Sequence, residues 1–235
     1  GAGMTWLDRP LLALDTETTG VDPWTARPLS ACLGYSDAPG RWEPVTTYLM
    51  PDDFDIPEAS VKVHGLSVDR LTALGASTDR AEVLDGILAA LIDCTVTDTP
   101  IVGHNLRYDL TLLDAEFGRY GLGQVPRDLL CLDTLILFRR LYYQTGSRQL
   151  GSLAERHGIT FPTHDAEADS LASLRLLHIV ANVDELMPHV DPRTLHELQA
   201  RWYDTDQKAR SEKVFAENRD WTPAFGWPIA VEAVA

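Results

Sequence analysis

The chain has 235 residues, 45% of them apolar, and 20 Lys plus Arg stand against 35 Asp plus Glu, a formal charge of −15. Such a length suits one large α/β domain with a helical appendage, while the charge excludes a protein that holds nucleic acid by bulk electrostatics, since phosphate binding draws on Lys and Arg. No run approaches eighteen apolar residues and no signal sequence opens the chain, so the expectation is a soluble, cytoplasmic protein with no membrane association.

Residues 1–10 read as a tag remnant, Gly1-Ala2-Gly3 ahead of Met4, and a short lead-in. Leu11-Leu12-Ala13-Leu14 lacks solvent-facing alternation and reads as a strand covered on both sides. The strand ends in Asp15 and Glu17, which share a face because side chains two apart in a strand point the same way, the alternative on these residues alone being a strand-end pair splayed into solvent. Pro28 to Ser36 and Trp42 to Met50 are further strands around the turn cluster Ser36-Asp37-Ala38-Pro39-Gly40, and an antiparallel meander is the simplest arrangement. Helical spacing follows over Glu58 to Leu74 and Arg80 to Asp93.

From Ile101 the pattern alternates. A short strand, Ile101-Val102-Gly103, precedes a helix from Leu106 to Tyr120, and the apolar run Leu129 to Leu132, ending in Asp133, precedes helices over Thr134 to Leu141 and Gln149 to His157. That order implies parallel pairing through right-handed crossovers. Helices over Asp165 to Val180 and Pro192 to Arg219 complete the series. Residues 191–235 form a C-terminal helix and an aromatic tail with Trp221, Pro223, Trp227 and Pro228, which either packs back on the body or is left without fixed structure. Cys32, Cys94 and Cys131 form no C-x-x-C pair and read as buried free thiols in a reducing compartment.

Three segments place acids at the mouths of apolar elements. Asp109 shares a helical face with Leu112, Leu113 and Phe117, and Asp169 with Ala172, Leu176 and Val180, so both carboxylates turn toward the core. Taken singly, Asp109 is equally a first-turn acid answering the helix dipole. His164 lies five residues before Asp169, about 140° around a helix, and reaches the same site only if it precedes the first turn; otherwise it is a surface or capping residue. Asp15, Glu17, Asp109 and Asp169 together offer all-oxygen ligation, which suits Mg²⁺ or Mn²⁺ rather than zinc. Two such ions are the apparatus of in-line phosphoryl displacement; their four charges would bring −15 to −11. A histidine beside them suits proton transfer from water at neutral pH.

The stretches "LDTETTG", "VGHNLRYDLTLL" and "HDAEAD" resemble, in order and spacing, the three motifs of the DEDDh family of 3′ to 5′ exonucleases. "VKVHGLS", "CLDTLILFRRL" and "SLAERHGI" resemble further landmarks of that family, so the likeness covers residues 11–180, inside an exonuclease domain of 11–190. It implies a ribonuclease H-like fold, a mixed five-stranded sheet of three antiparallel strands plus parallel ones, flanked by helices, with the first strand central. It also implies that Asp15 bridges two metal ions, Glu17 and Asp169 hold the one that activates water, Asp109 serves the other, and His164 is the general base. Thr18, Thr19 and Gly20 would receive the terminal nucleotide. His64 and Asn105 are candidates for that pocket, with packing and helix capping as their alternatives. Tyr108 stands where the family often has phenylalanine, and Asp165 where a basic residue often follows the histidine.

The implied activity is trimming of single-stranded 3′ ends to nucleoside 5′-monophosphates, with DNA favoured over RNA. The alternatives are an RNA-trimming exoribonuclease and a proofreading or binding subunit attached to a DNA polymerase or another replication or repair partner. Arg119, Arg127, Arg139, Arg140, Arg148 and Arg156 stand against Asp128, Asp133 and Glu155, so this window is positive by three. With Tyr142 and Tyr143 interleaved, it is a candidate phosphate and base contact, the tyrosines being equally core residues.

Overall fold

The computed structural model of the chain describes residues 5–37, 41–142, 146–183, 187–217 and 224–231. Gly1 to Met4, Ala38 to Gly40, Tyr143, Trp221 and Pro223, all used in the reading above, lie outside the described residues.

Five strands form one sheet: β1 (Leu11–Thr18), β2 (Pro28–Ser36), β3 (Glu43–Tyr48), β4 (Ile101–Gly103) and β5 (Cys131–Asp133), in the order β3-β2-β1-β4-β5. β1 to β3 are antiparallel, and β4 and β5 add in parallel beside β1, so the mixed sheet with its first strand central is the one observed. Alternate residues of β1 supply two separate cores. Leu12 and Leu14 join the α3 (Arg80–Val96) and α4 (Leu106–Arg119) side, while Leu11 and Ala13 join α5 (Thr134–Leu141) and α7 (Ala166–Ala181). All four are buried. An uninterrupted apolar run is therefore the composition this position demands.

Two expected elements differ in detail. The helix expected over residues 58–74 is two, α1 (Glu58–His64) and α2 (Val68–Ala73). Gly65 ends the first with φ 75°, a left-handed conformation that glycine adopts without a Cβ clash, and the Ser67 hydroxyl caps the second at Arg70 N. β5 spans Cys131 to Asp133 rather than 129–132, because Asp133 pairs with Gly103 as the last strand residue and then caps α5. Gly103 also lets β4 pass close by: an added Cβ would lie 2.9 Å from the Leu14 carbonyl oxygen.

The remaining helices are α6 (Leu150–Arg156) and α8 (Pro192–Ala216). Residues 224–231 pack back on the body, with Trp227 buried in the core shared by α3 and α4.

Candidate active site

β1 leaves the core at Asp15 and Glu17, on the same face as Leu11 and Ala13 and toward α7. α7 begins at Ala166, capped by the Asp165 carboxylate at Ala168 N, so His164 does precede the first turn. It is held with φ 62°, and its N–H donates to Asp169 Oδ2 at 3.3 Å. One ligand atom each from Glu17, His164 and Asp169 falls within 4.8 Å of the others. Asp109 arrives from the opposite face of the sheet, in the first turn of α4, where the Thr16 hydroxyl donates to its Oδ1 at 2.7 Å.

The electrostatics are one-sided. Burial and the neighbouring Asp109, Asp169 and Glu17 all push the Asp15 carboxyl far up. Burial, then Asp169 and Asp109, raise Glu17 to about 8. Burial takes Asp109 to about 7 against the opposing Thr16 hydrogen bond, and Asp169 to about 7 against that from His164 N–H. Among the described residues no salt bridge reaches any of the four. Asp169 Oδ1 is buried without a hydrogen-bond partner. Four crowded carboxylates and an orphaned oxygen fit hard divalent cations, which would supply the missing positive charge.

The Thr18-Thr19-Gly20 turn is pinned from three sides. His64 Nδ1 accepts from Leu66 N, which leaves Nε2 to donate to the Thr18 carbonyl at 3.0 Å. Burial lowers the His64 pKa, partly offset by that bond. Ser60 Oγ donates to the Thr19 carbonyl at 2.7 Å, and Thr19 Oγ1 accepts from Arg27 N at 2.9 Å. The Tyr108 hydroxyl meets Thr18 Oγ1 at 2.7 Å and the Gly20 carbonyl. Thr18, Thr19, Gly20 and His64 thus line one hollow of ≈ 390 Å³ beside Glu17. Asn105 is the residue before α4, as expected, but it adopts φ 70° and its side chain caps nothing. The Asp133 carboxylate caps α4 instead, accepting from Asn105 N and Leu106 N.

The RNase_T family model, described as an exonuclease, matches residues 12–177. The chain belongs to this exonuclease family. It is similar to the 3′-5′ exonuclease DinG of Staphylococcus aureus, at 30% identity over 46% of this chain and 11% of that one, and to the PolC-type DNA polymerase III of Streptococcus pneumoniae, at 34% over 35% and 6%. It therefore spans a small part of the curated relatives it matches. The fold is shared with the zinc-bound complex of E. coli exonuclease I with single-stranded DNA (24% identity, TM-score 0.65, covering 77% of this chain and 42% of that one) and with exonuclease I of Methylocaldum szegediense (21%, 0.60, 76% and 42%).

In this exonuclease domain a cleft of ≈ 1020 Å³ runs from Asp15, His164 and Asp169 past Asn105 and Tyr108 to Arg139 and Arg148. These two are the only members of the six-arginine window lining it. Arg119 pairs with Glu116, Arg127 with Asp114, Arg140 lies over Trp202, and Arg156 bonds the Ser152 carbonyl. The expected positive patch is dispersed because these arginines belong to three different helices and the loops between them. Tyr142 packs against Phe138 and His157, with ring centroids 5.3 and 5.1 Å away, and so takes the core role. Thr16 and Asp133 are neighbours of the site to which the sequence reading gave no role, and Tyr108, noted there only as standing where phenylalanine is common, is a third. Asp133 had a signal, the "CLDTL" landmark, but nothing there gave it a role.

Proposed function

We propose that the chain is a metal-dependent 3′ to 5′ exonuclease that removes nucleoside 5′-monophosphates from single-stranded ends, with DNA favoured. The observation that carries this reading is the convergence of Asp15, Glu17, Asp109 and Asp169 from three elements with no cation paired to them. Asp15, Glu17 and Asp169 would hold one Mg²⁺ or Mn²⁺, and Asp15 with Asp109 the other. Bound there, the ions supply positive charge to the attacking and leaving oxygens of the phosphodiester. His164, exposed at the mouth beside Glu17 and Asp169, takes the proton of the attacking water. The water oxygen bonds phosphorus as the P–O3′ bond breaks, and the leaving O3′ takes a proton from solvent water, so that the shortened strand ends in a 3′-hydroxyl.

The pinned Thr18-Thr19-Gly20 turn seats the terminal nucleotide, with His64 fixing its backbone from behind and Asn105 facing the cleft. Arg139 and Arg148 meet phosphates further along the strand. The PolC likeness supports a setting in DNA replication or repair beside a polymerase, and the buried cysteines support a reducing cytoplasm. The side chains that carry the chemistry lie within an exonuclease domain of residues 11–190, and 191–235 are the C-terminal extension.

The test is trimming of matched 3′-labelled DNA and RNA oligonucleotides with Mg²⁺ or Mn²⁺. The protein should shorten DNA faster, and Asp15→Ala should abolish trimming while the fold persists. Activity retained by Asp15→Ala would sink the assignment, and faster RNA trimming would reassign the substrate.

A further inference from the structure

The edge of the sheet at β5 is closed by side chains of α8. Cys131 N donates to His196 Nδ1 at 3.1 Å, Asp133 N to Gln199 Oε1 at 2.7 Å, and Gln199 Nε2 to the Cys131 carbonyl at 3.0 Å. One buried glutamine amide thus pairs with the strand as a neighbouring strand would, satisfying backbone groups that burial would otherwise leave without partners. On the other side of Asp133, its carboxylate holds two helix N-termini. Oδ1 accepts from Asn105 N and Leu135 N, both at 2.9 Å, and Oδ2 from Leu106 N at 3.0 Å and the Trp227 indole at 3.4 Å.

Asp109 sits one turn further along α4. The outer side of that turn is gripped by the tail. Arg107 Nε donates to the Gly226 carbonyl at 2.7 Å, and Thr111 Oγ1 accepts from Ala230 N at 2.9 Å. We propose that residues 192–217 and 224–231, beyond the matched family region, belong to the catalytic apparatus: Gln199 and Trp227 fix Asp133, and Asp133 is the positioning residue that sets where Asp109 stands opposite Asp15. The left-handed Asn105 makes this anchor necessary, since such a conformation persists in a non-glycine residue only when its surroundings enforce it.

The inference rests on the metal-ligand role given to Asp109, and one set of variants of the full chain separates the two. Asp133→Asn keeps the side-chain size but turns an amide NH₂ toward N–H donors. It should lower kcat at least tenfold with KM within twofold, and raise the Mn²⁺ concentration needed for half-maximal rate. In the metal-free protein it should strip amide-exchange protection from Asn105 and Leu106 while residues 110–117 keep theirs. Gln199→Met and Trp227→Phe should give smaller losses of the same kind, and decide the matter should Asp133→Asn fail to fold.

Leu91→Ala, a core truncation on α3, controls for lost stability. Equal loss of kcat in Leu91→Ala at the same interval below its unfolding midpoint overturns the inference. So do wild-type kcat, metal dependence and exchange in Asp133→Asn. Full activity in Asp109→Ala would overturn the ligand role itself, whereas an inactive Asp109→Ala beside a wild-type Asp133→Asn overturns the positioning role alone.

Discussion

Asp109 illustrates the tension between folding and function at a single residue. Its folded pKa of about 7 lies far above the ordinary carboxylate value of about 3.9. The native state therefore favours its protonated form, and ionisation opposes folding. The sign follows: in the metal-free protein this penalty is absent below the unfolded pKa, grows as pH rises, and is complete above the folded one. Asp109→Asn should accordingly raise the metal-free melting temperature by several degrees at pH 8, at about 2–4 °C per kcal/mol, and by less at pH 5, while ending catalysis. A thermal melt at the two pH values checks it, and no rise at pH 8 would contradict the burial argument.

Tyr108, next in the chain, makes a different contribution. Its hydroxyl bonds Thr18 Oγ1 and the Gly20 carbonyl, so its phenol is a strut for the turn rather than a reacting group. Tyr108→Phe should raise KM several-fold and leave kcat within about twofold; initial rates across oligonucleotide concentration report it.

At the scale of elements, α4 joins two networks. Its N-terminus serves the site, and near its other end Glu116 is fully buried among Arg80, at 2.7 Å, Arg119, at 2.7 Å, and Arg27, at 2.8 Å. Glu116→Gln would leave three guanidinium groups, those of Arg27, Arg80 and Arg119, short of a counter-charge and should destabilise the fold by about 3–5 kcal/mol, measurable by urea unfolding. Because Arg27 N also holds Thr19 Oγ1, the loss should be felt at the turn as well.

How far these elements were legible depended on whether their causes were local. β1 could be read because its burial follows from four consecutive apolar residues and period-two alternation. Asp109 and Asp169 could be placed because helical spacing aligns them with apolar neighbours. The break at Gly65 was visible as a residue type but was absorbed into a helical periodicity that runs through it. The cap of α4 was not legible at all: the donor set at Asn105 is met by Asp133, 28 residues on, and Asp133 is in turn met by Gln199, 66 residues further. Such long-range satisfaction leaves no periodic trace.

For the molecule as a whole, the acidic charge and the dispersed arginines limit how strongly the cleft can hold a strand. With Arg139 and Arg148 as the phosphate contacts lining it, about two counterions are displaced. The apparent KM for single-stranded DNA should then rise about sevenfold between 50 and 200 mM salt, from a slope of about −0.7 per contact. A much steeper dependence would mean that more of the six arginines engage the strand than their present partners allow. No helix among the described residues is long and apolar enough to cross a membrane.

The two edges of the sheet are treated differently. β3 carries Glu43 and Pro44 at its start, which discourage another strand from adding, whereas β5 is covered by α8. Between them β1 feeds both cores at once, which has a consequence for motion. Leu12, Ala13 and Leu14 cannot lose their contacts on one face while keeping those on the other, so this stretch opens only when the whole domain does. The strand that crowds Asp15 and Glu17 together is thus the part of the molecule least able to let them drift apart, and thermal breathing of the exposed Gly20 turn leaves their spacing undisturbed.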